Sequence, residues 1–529
     1  MNPIGGACEK PWMSLDYLST ELLALVFEQL CLEDKVSLWT ARRVSRRVAA
    51  VATPILYRNL EFNAALLSPY AANTYPGLYE HIQQHTVHAI VGSDLDPSGI
   101  RRVLSWAGRI SSIRWIYTSP SNLTKSTCWL LPNALDLNHL HRNHITLEIE
   151  DLPLQAFSST NTSSPADENI LTSTIPAHLL TSLKVGHPAP PLTQKVQGLK
   201  RLLLQAPRLK TLHYEDRGQG TSFKFEEGDG KMPAVEDLML RSYDWGHSRR
   251  EVARHWNFGH LRSLQLVHVP TYKFLSSIDP NDLRKLHTLR MENFSAHQPD
   301  RRREATRALS DLVESYIDSL ENLDLVCHLP LFSIDALLQH RLTLQVLRLR
   351  DHTGFGEEDH VCPTIHGRDL ARLASAMPVL HTLELDMDVT QCDPREFLSA
   401  ACKFRNLHTL TVHVQTLLRP LDVIEAGTDR DFEAAMATFR FLHEERERLS
   451  KVPKYEHLRH TTWRRITINV GGWRRVMVRR VSSAWRERNE RGIFAERCFV
   501  LERSTAHGQV GVREEIGVES PSRRATPEL

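Results

Sequence analysis

Several things are scarce or missing in this chain, and each absence excludes a class of function. Lys and Arg number 65 against 63 Asp and Glu, a formal charge of +2 over 529 residues, so no global field draws the chain to nucleic acid or an anionic membrane. Nowhere do eighteen apolar residues run together, and MNPIGGACEK at the start has no cationic stretch followed by an apolar one. Neither a membrane span nor a secretory leader is therefore expected. The eight cysteines, at 8, 31, 128, 327, 362, 392, 402 and 498, form no Cys-x-x-Cys pair. That spacing argues against a disulfide-dense secreted scaffold and fits a reducing compartment, cytoplasmic or nuclear.

Phosphate-cradling and catalytic signatures are missing too: no G-x-x-x-x-G-K-[ST], no G-x-S-x-G and no dinucleotide G-x-G-x-x-G. Gly218 and Gly354 belong to isolated GQG and GFG pairs in acidic loops, poor places to hold phosphate. Histidines are plentiful, at 27. His81, His85 and His88 have the i, i+4, i+7 spacing of one helical face, and His139, His141 and His144 cluster, but no H-E-x-x-H accompanies them. They read as a histidine-rich surface. No catalytic residue, metal ligand or cofactor is expected.

What is there is a folded composition, 41% hydrophobic and 24% charged, on a chain too long for one compact core unless repeats extend it. Repeats are found. Hexads of the form L-x-x-L-x-L begin at Leu180, Leu209, Val235, Leu261, Leu286, Leu320, Leu344, Leu380 and Leu407, spaced 29, 26, 26, 25, 34, 24, 36 and 27 residues apart. Alternation inside each hexad is that of a half-buried strand. Helical patterns lie between them, in VQGLKRLLLQ, REATRALSDLVESYI, RDLARLASAM and REFLSAAC. IRW from Ile113, ITLEI from Ile145 and WRRITI from Trp463 read as further strands. The fold class is therefore α/β, a solenoid with a parallel sheet on its concave side, because no single strand–helix unit can bury its own apolar face.

The fourth hexad positions, from Leu212 to Leu410, belong to the core. The fifth must point away from it. Those residues are Lys184, His213, Met239, Gln265, Arg290, Asp324, Arg348, Glu384 and Thr411, eight of them polar. Stacked about 4.8 Å apart they would form one stripe that a target peptide can read. The competing reading is that Arg290, Asp324, Arg348 and Glu384, alternating in sign, pair with one another.

Residues 14–60 are different, with three short helices in fewer than fifty residues. Leu18, Leu22, Leu25, Val26 and Leu30 make one apolar stripe. Ser19 and Thr20 can cap the first helix, with Glu21 in its first turn, and Asp34 can cap the second. Val36, Trp39 and Leu38 are the expected buried side of that second helix. Ser45 caps a third, carrying Val48, Val51 and Ala52 and ending at Thr53 because Pro54 disfavours helix before it.

This stretch resembles an F-box: L-x-x-E-L at Leu18 to Leu22, Phe27, Leu30, Asp34, Leu38, and V-S-R-R at Val44 to Arg47, followed by P-x-L-Y-R-x-L at Pro54 to Leu60 in the manner of fungal members. Two departures are Ser19 where the family has proline and Val48 where it has an aromatic. The hexads resemble degenerate leucine-rich repeats, lacking the usual asparagine or cysteine after the strand. The match to the F-box covers under a tenth of the chain.

The resemblance implies a non-enzymatic substrate receptor of a Skp/cullin/F-box ubiquitin ligase. Leu18, Ser19, Glu21, Leu22, Phe27, Leu30, Asp34, Leu38, Val44 and Ser45 would bind the Skp-type adaptor, and through it a cullin and a RING subunit. The repeats would bind an unknown protein target. The alternative is a repeat scaffold without ligase function.

The expected organisation is a disordered N-terminus (1–13), the F-box-like module (14–60), a linking segment with first strands (61–109) and the repeat solenoid (110–470). Loop insertions fall near 154–176, 216–232 and 351–367. A basic cap (471–503) and a disordered tail (504–529) complete it. Residues 459–491 carry ten arginines and two glutamates with Trp463, Trp473 and Trp485 interleaved; they read as a structural cap in preference to a nucleic-acid site.

Overall fold

A computed structural model describes residues 17–74, 77–118, 131–152, 174–186, 196–215, 221–292, 301–351, 361–417, 429–471, 497–503 and 510–516. The chain divides into two compact units, residues 1–212 and 213–529.

The first unit opens with helices α1 (Thr20–Glu33), α2 (Lys35–Ala41) and α3 (Arg46–Arg58). Their starts are set by side-chain caps. The Leu22 N–H donates to Ser19 Oγ at 3.3 Å, Val36 and Ser37 N–H donate to Asp34 Oδ1 at 3.0 and 3.1 Å, and Val48 N–H donates to Ser45 Oγ at 3.2 Å. Each cap satisfies donors that a helix start leaves without partners.

Helix α3 does not stop at Thr53. It runs through Pro54 to Arg58, burying Ile55, Leu56 and Tyr57 in its last turn. Burying three large side chains outweighs the roughly 3 kcal/mol that an interior proline costs. The buried side of α2 is also narrower than its pattern suggests: Leu38 is buried, but Val36 and Trp39 are exposed.

Strands β1 (Asn59–Glu61), β2 (His88–Gly92), β3 (Ser112–Ile116), β4 (Thr146–Leu152) and β5 (Leu180–Val185) follow, pairing in parallel in chain order. The strands expected at Ile113 and Ile145 are β3 and β4. His88 lies in β2 while His81 and His85 sit on the helix Leu78–His85, so the three histidines share no helical face. Strand β6 (Thr211–Glu215) spans the division between the units.

In the second unit β7 (Asp237–Arg241), β8 (Ser263–Val267), β9 (Thr288–Glu292), β10 (Asn322–Cys327), β11 (Val346–Asp351), β12 (Thr382–Asp386), β13 (Thr409–Gln415) and β14 (Arg465–Gly471) pair in parallel in chain order. Helices such as Arg302–Ser315, Gly367–Ala376 and Pro394–Cys402 form the crossovers that parallel neighbours require. The register is residue for residue. Leu238, Leu264, Leu289, Leu323, Leu347, Leu383, Leu410 and Ile466 stand in one row, and all are fully buried. This continuous apolar layer makes the arrangement solenoid-like, since each strand completes the burial of its neighbour's leucines.

Two expectations are corrected here. The insertion at 216–232, read as a mobile loop, is packed over its described part: Phe223 and Met232 are buried, and Thr221 bridges to Tyr243. The glycines and charges that suggested a loop flank aromatic anchors. The tail read as disordered contains a strand. After β14 the direction reverses, and β15 (Arg497–Arg503) and β16 (Val510–Ile516) pair antiparallel. Arg497 joins Asp429 and Glu514 by ion pairs of 2.6 Å, which draws β16 out of the segment read as disordered. Trp473, Trp485 and residues 1–13 lie outside the described residues.

One buried imidazole ties this unit together. His340 Nδ1 accepts the Leu320 N–H at 3.2 Å, and its Nε2 donates to the Val313 carbonyl at 2.9 Å. Burial holds its pKa below the usual value of 6.5, only partly offset by the Val313 carbonyl. A depressed histidine pKa means that the unfolded chain takes up the proton first, so its stabilising contribution is present above pH 6.5 and shrinks as pH falls below it. His340→Asn is expected to flatten this part of the stability profile between about pH 7 and pH 5 in denaturant titrations. A slope identical to that of the wild type would contradict the assignment.

Candidate docking surfaces

The three-helix module has a core and an outer face. Leu23, Phe27, Leu38, Val48 and Ala52 are buried. Phe27 and Leu38, expected at the adaptor interface, thus belong to the core, because they lie on the sides of α1 and α2 that meet α3. Val48, where the F-box resemblance would place an aromatic, fills this core at 3% exposure. Ser19 does the capping at the start of α1. Arg47 also donates to the Leu18 carbonyl and ties α3 to the start of α1.

The outer face is apolar without being covered. Leu22 is 52% exposed, Leu25 62%, Val26 46%, Leu32 82%, Val36 74% and Val44 73%. On α1 these residues recur at i, i+3, i+4 and i+10, with Leu32 seven places after Leu25, so they share one side of the helix. Trp39 continues the apolar character on α2, its ring under Arg42 at 5.0 Å. Glu21 and Asp34 are exposed, while Leu18, Leu30 and Ser45 are half-buried. Leu22 and Val44, which the resemblance assigns to adaptor binding, lie on this exposed face, and Val36 and Trp39, expected to be buried, lie exposed as well. The signal was present: apolar residues appeared on more of α2 than one buried stripe can hold.

The strand stripe is placed as its period requires, with each fifth hexad residue on the face opposite the leucine row. Its charges are paired laterally. Lys184 Nζ lies 2.9 Å from Glu150 Oε1 in the first unit. In the second, His213 Nε2 is 2.7 Å from Asp237, Arg290 Nε is 3.3 Å from Asp324, and Arg348 stands 3.8 Å from Asp324 and 3.3 Å from Glu384. Glu384 accepts from His413 Nε2 at 2.7 Å. One row further, Arg350 Nε and Nη2 reach Asp386 Oδ1 at 3.0 and 2.9 Å.

Burial pushes the Asp324 carboxyl up, with Arg290 working against it. At Glu384 burial also pushes upward, but the His413 hydrogen bond and charge, with Arg350 and Arg348, outweigh it and bring the carboxyl down to about 2. His213 and Glu384 are buried. Met239, Gln265 and Thr411 are half-buried and add no charge. The stripe is thus largely a ladder of mutual ion pairs, partly open to water at Lys184 and Arg348.

Among the described residues no group of three or more His, Cys, Asp or Glu could hold a metal ion, and no helix is long and apolar enough to cross a membrane. The fold defines an α/β protein of solenoid-like construction with a helical module at its start. No model of a known protein family matches this chain, and no curated protein matches its sequence.

Proposed function

We propose that the chain is the substrate-receptor subunit of a Skp/cullin/F-box ubiquitin ligase, with residues 14–60 as its F-box and the strand–helix array as degenerate leucine-rich repeats. The observation that carries this reading is the uncovered apolar face of α1 and α2. Six aliphatic side chains between Leu22 and Val44 are each about half exposed or more, where an isolated module would gain by keeping them polar. Burial is worth roughly 1.5–3 kcal/mol for each such side chain. A partner covering them recovers energy that three short helices cannot recover among themselves. The order of L-x-x-E-L, Asp34 and V-S-R-R resembles an F-box, and that resemblance implies a Skp-type adaptor as the partner.

A receptor of this kind needs no catalytic residue. It raises the concentration of a bound target near a separate ubiquitin-loaded enzyme. Target recognition is assigned to the outward strand face. Reversing Arg290 and Arg348 would leave Asp324 between two carboxylates, so Gln265 and Thr411, which carry no charge, are the better probes.

Proximity labelling with the proteasome blocked tests the reading. Ubiquitylated neighbours are expected with the intact chain and not with a chain lacking residues 14–60. Equal ubiquitylation of neighbours in both would remove the ligase role and leave the scaffold alternative.

A further inference from the structure

The residue just before each of strands β9 to β14 extends the hydrogen-bonded ladder. The His287 N–H donates to Arg262 O at 2.8 Å, Glu321 to His287 at 2.8 Å, Gln345 to Glu321 at 2.8 Å, His381 to Gln345 at 2.9 Å, His408 to His381 at 3.1 Å and Arg464 to His408 at 2.9 Å. These residues form a file with the spacing of neighbouring strands, about 4.8 Å. Early in the file the signs are mixed, with His287 Nδ1 3.7 Å from Glu321. From His381 onward only imidazoles and a guanidinium remain.

The two rings are arranged in parallel, 5.1 Å apart with 7° between their planes. Each Nδ1 is engaged by the hydroxyl of the following threonine, Thr382 at 3.0 Å and Thr409 at 3.1 Å. A hydroxyl donating to Nδ1 leaves the ring proton on Nε2, as a donor available to a ligand. Arg464 is exposed and acts on both rings.

Behind them Arg446 is only 4% exposed, stacked 4.2 Å over Trp463. Its Nη2 reaches the Phe404 carbonyl at 3.4 Å, while its Nε and Nη1 have no hydrogen-bond partner among the described residues. Arg405 and Arg446 also act on His457, on the turn Pro453–His460. Burial, then Arg464, His381 and Arg446, push His408 down to about 4, and burial and Arg464 hold His381 below its usual value. Two imidazoles that precede β12 and β13 thus lie within the electrostatic reach of the Arg464 and Arg446 guanidiniums, and among the described residues no carboxylate is one of the charged groups acting on either ring.

We propose that His381, His408 and Arg464, backed by the buried Arg446, form a binding site for a tetrahedral dianion, a phosphate monoester. The residues that precede three successive strands stand in one hydrogen-bonded file there, and a doubly charged ligand supplies the counter-charge that lets both rings take up protons. The site is separate from the helical module and does not depend on the ligase reading.

Sulfate is the first probe, since its charge stays at −2 across the range tested and any pH dependence then belongs to the protein. Calorimetry on the intact chain should show affinity rising at least about tenfold from about pH 7.5 to pH 5, with proton uptake on binding. Arg464→Gln, at an exposed position, is expected to keep the melting temperature and weaken binding about tenfold. His381→Gln with His408→Gln should abolish the proton uptake. Comparing inorganic phosphate with a phosphoserine peptide then separates a free anion from a phosphorylated protein as the source. Absence of saturable sulfate binding at pH 5, or binding and proton uptake unchanged in Arg464→Gln, would overturn the proposal.

Discussion

Trp245→Ala is expected to destabilise the second unit by about 3–5 kcal/mol, the cost of removing a large aromatic from a close-packed core. Trp245 is fully buried, its indole N–H donating to Ser277 Oγ at 2.9 Å. Its ring lies 4.9 Å from Trp256, 4.8 Å from Phe274 and 4.9 Å from His247. The same cluster holds a closed polar chain. The Phe223 N–H donates to the Tyr243 hydroxyl at 2.8 Å, that hydroxyl meets His247 Nε2 at 2.8 Å, and His247 Nδ1 meets Glu251 at 3.0 Å. Glu251 also completes the capping box that starts the helix Arg249–His255. A void at Trp245 therefore leaves Ser277 without its donor and loosens a hydrogen-bonded network as well as a cavity wall. Denaturant unfolding of the variant measures the loss; a decrease below about 1 kcal/mol would contradict the packing described.

Removal of residues 459–529 is the second large effect. It strips β14 to β16 from the second unit, uncovering β13 and the fully buried Leu410 and Val412, and it takes away Ile466, Phe499 and Val500 from the core. Trp463, on which Arg446 stacks, goes with them. At roughly 2 kcal/mol for each apolar side chain exposed or lost, the melting temperature should fall by more than about 10 °C. An unchanged melt combined with loss of a salt-sensitive affinity for RNA or DNA would return the arginine-rich segment to the nucleic-acid reading.

The leucine hexads were legible because a two-residue period repeated nine times leaves only one way to bury its apolar side. Every hexad from Leu180 to Leu407 lies at a strand, and the fourth leucines pair in register. Strands β1 and β2 were not individually legible. NLE and HAIVG are too short to carry a period, and their pairing with the neighbouring strand decides them. The end of α3 was misjudged because a local rule about proline was weighed without the tertiary burial of Leu56 and Tyr57. The tail strand β16 was missed for a related reason: VGVREEI reads as a charged terminus until Arg513 meets Glu502 at 2.6 Å and Arg497 meets Glu514.

The site was partly legible. Period alone placed Arg290, Asp324, Arg348 and Glu384 on one face, and their alternating signs foreshadowed the ion pairs. It gave no hint that His381 and His408 would stack, because that depends on register between strands separated by a helix.

The proposed docking of a Skp-type adaptor on the apolar face of α1 and α2 is read out by the affinity of the full chain for that adaptor. Leu22→Asp combined with Val26→Asp places charge on two side chains that are already exposed, so the melting temperature should stay within a few degrees of the wild type. Adaptor binding should fall by at least about a hundredfold, since each carboxylate would be buried without a partner in an apolar interface. Undiminished adaptor affinity in the double variant, or no affinity in the wild-type chain, would contradict the assignment.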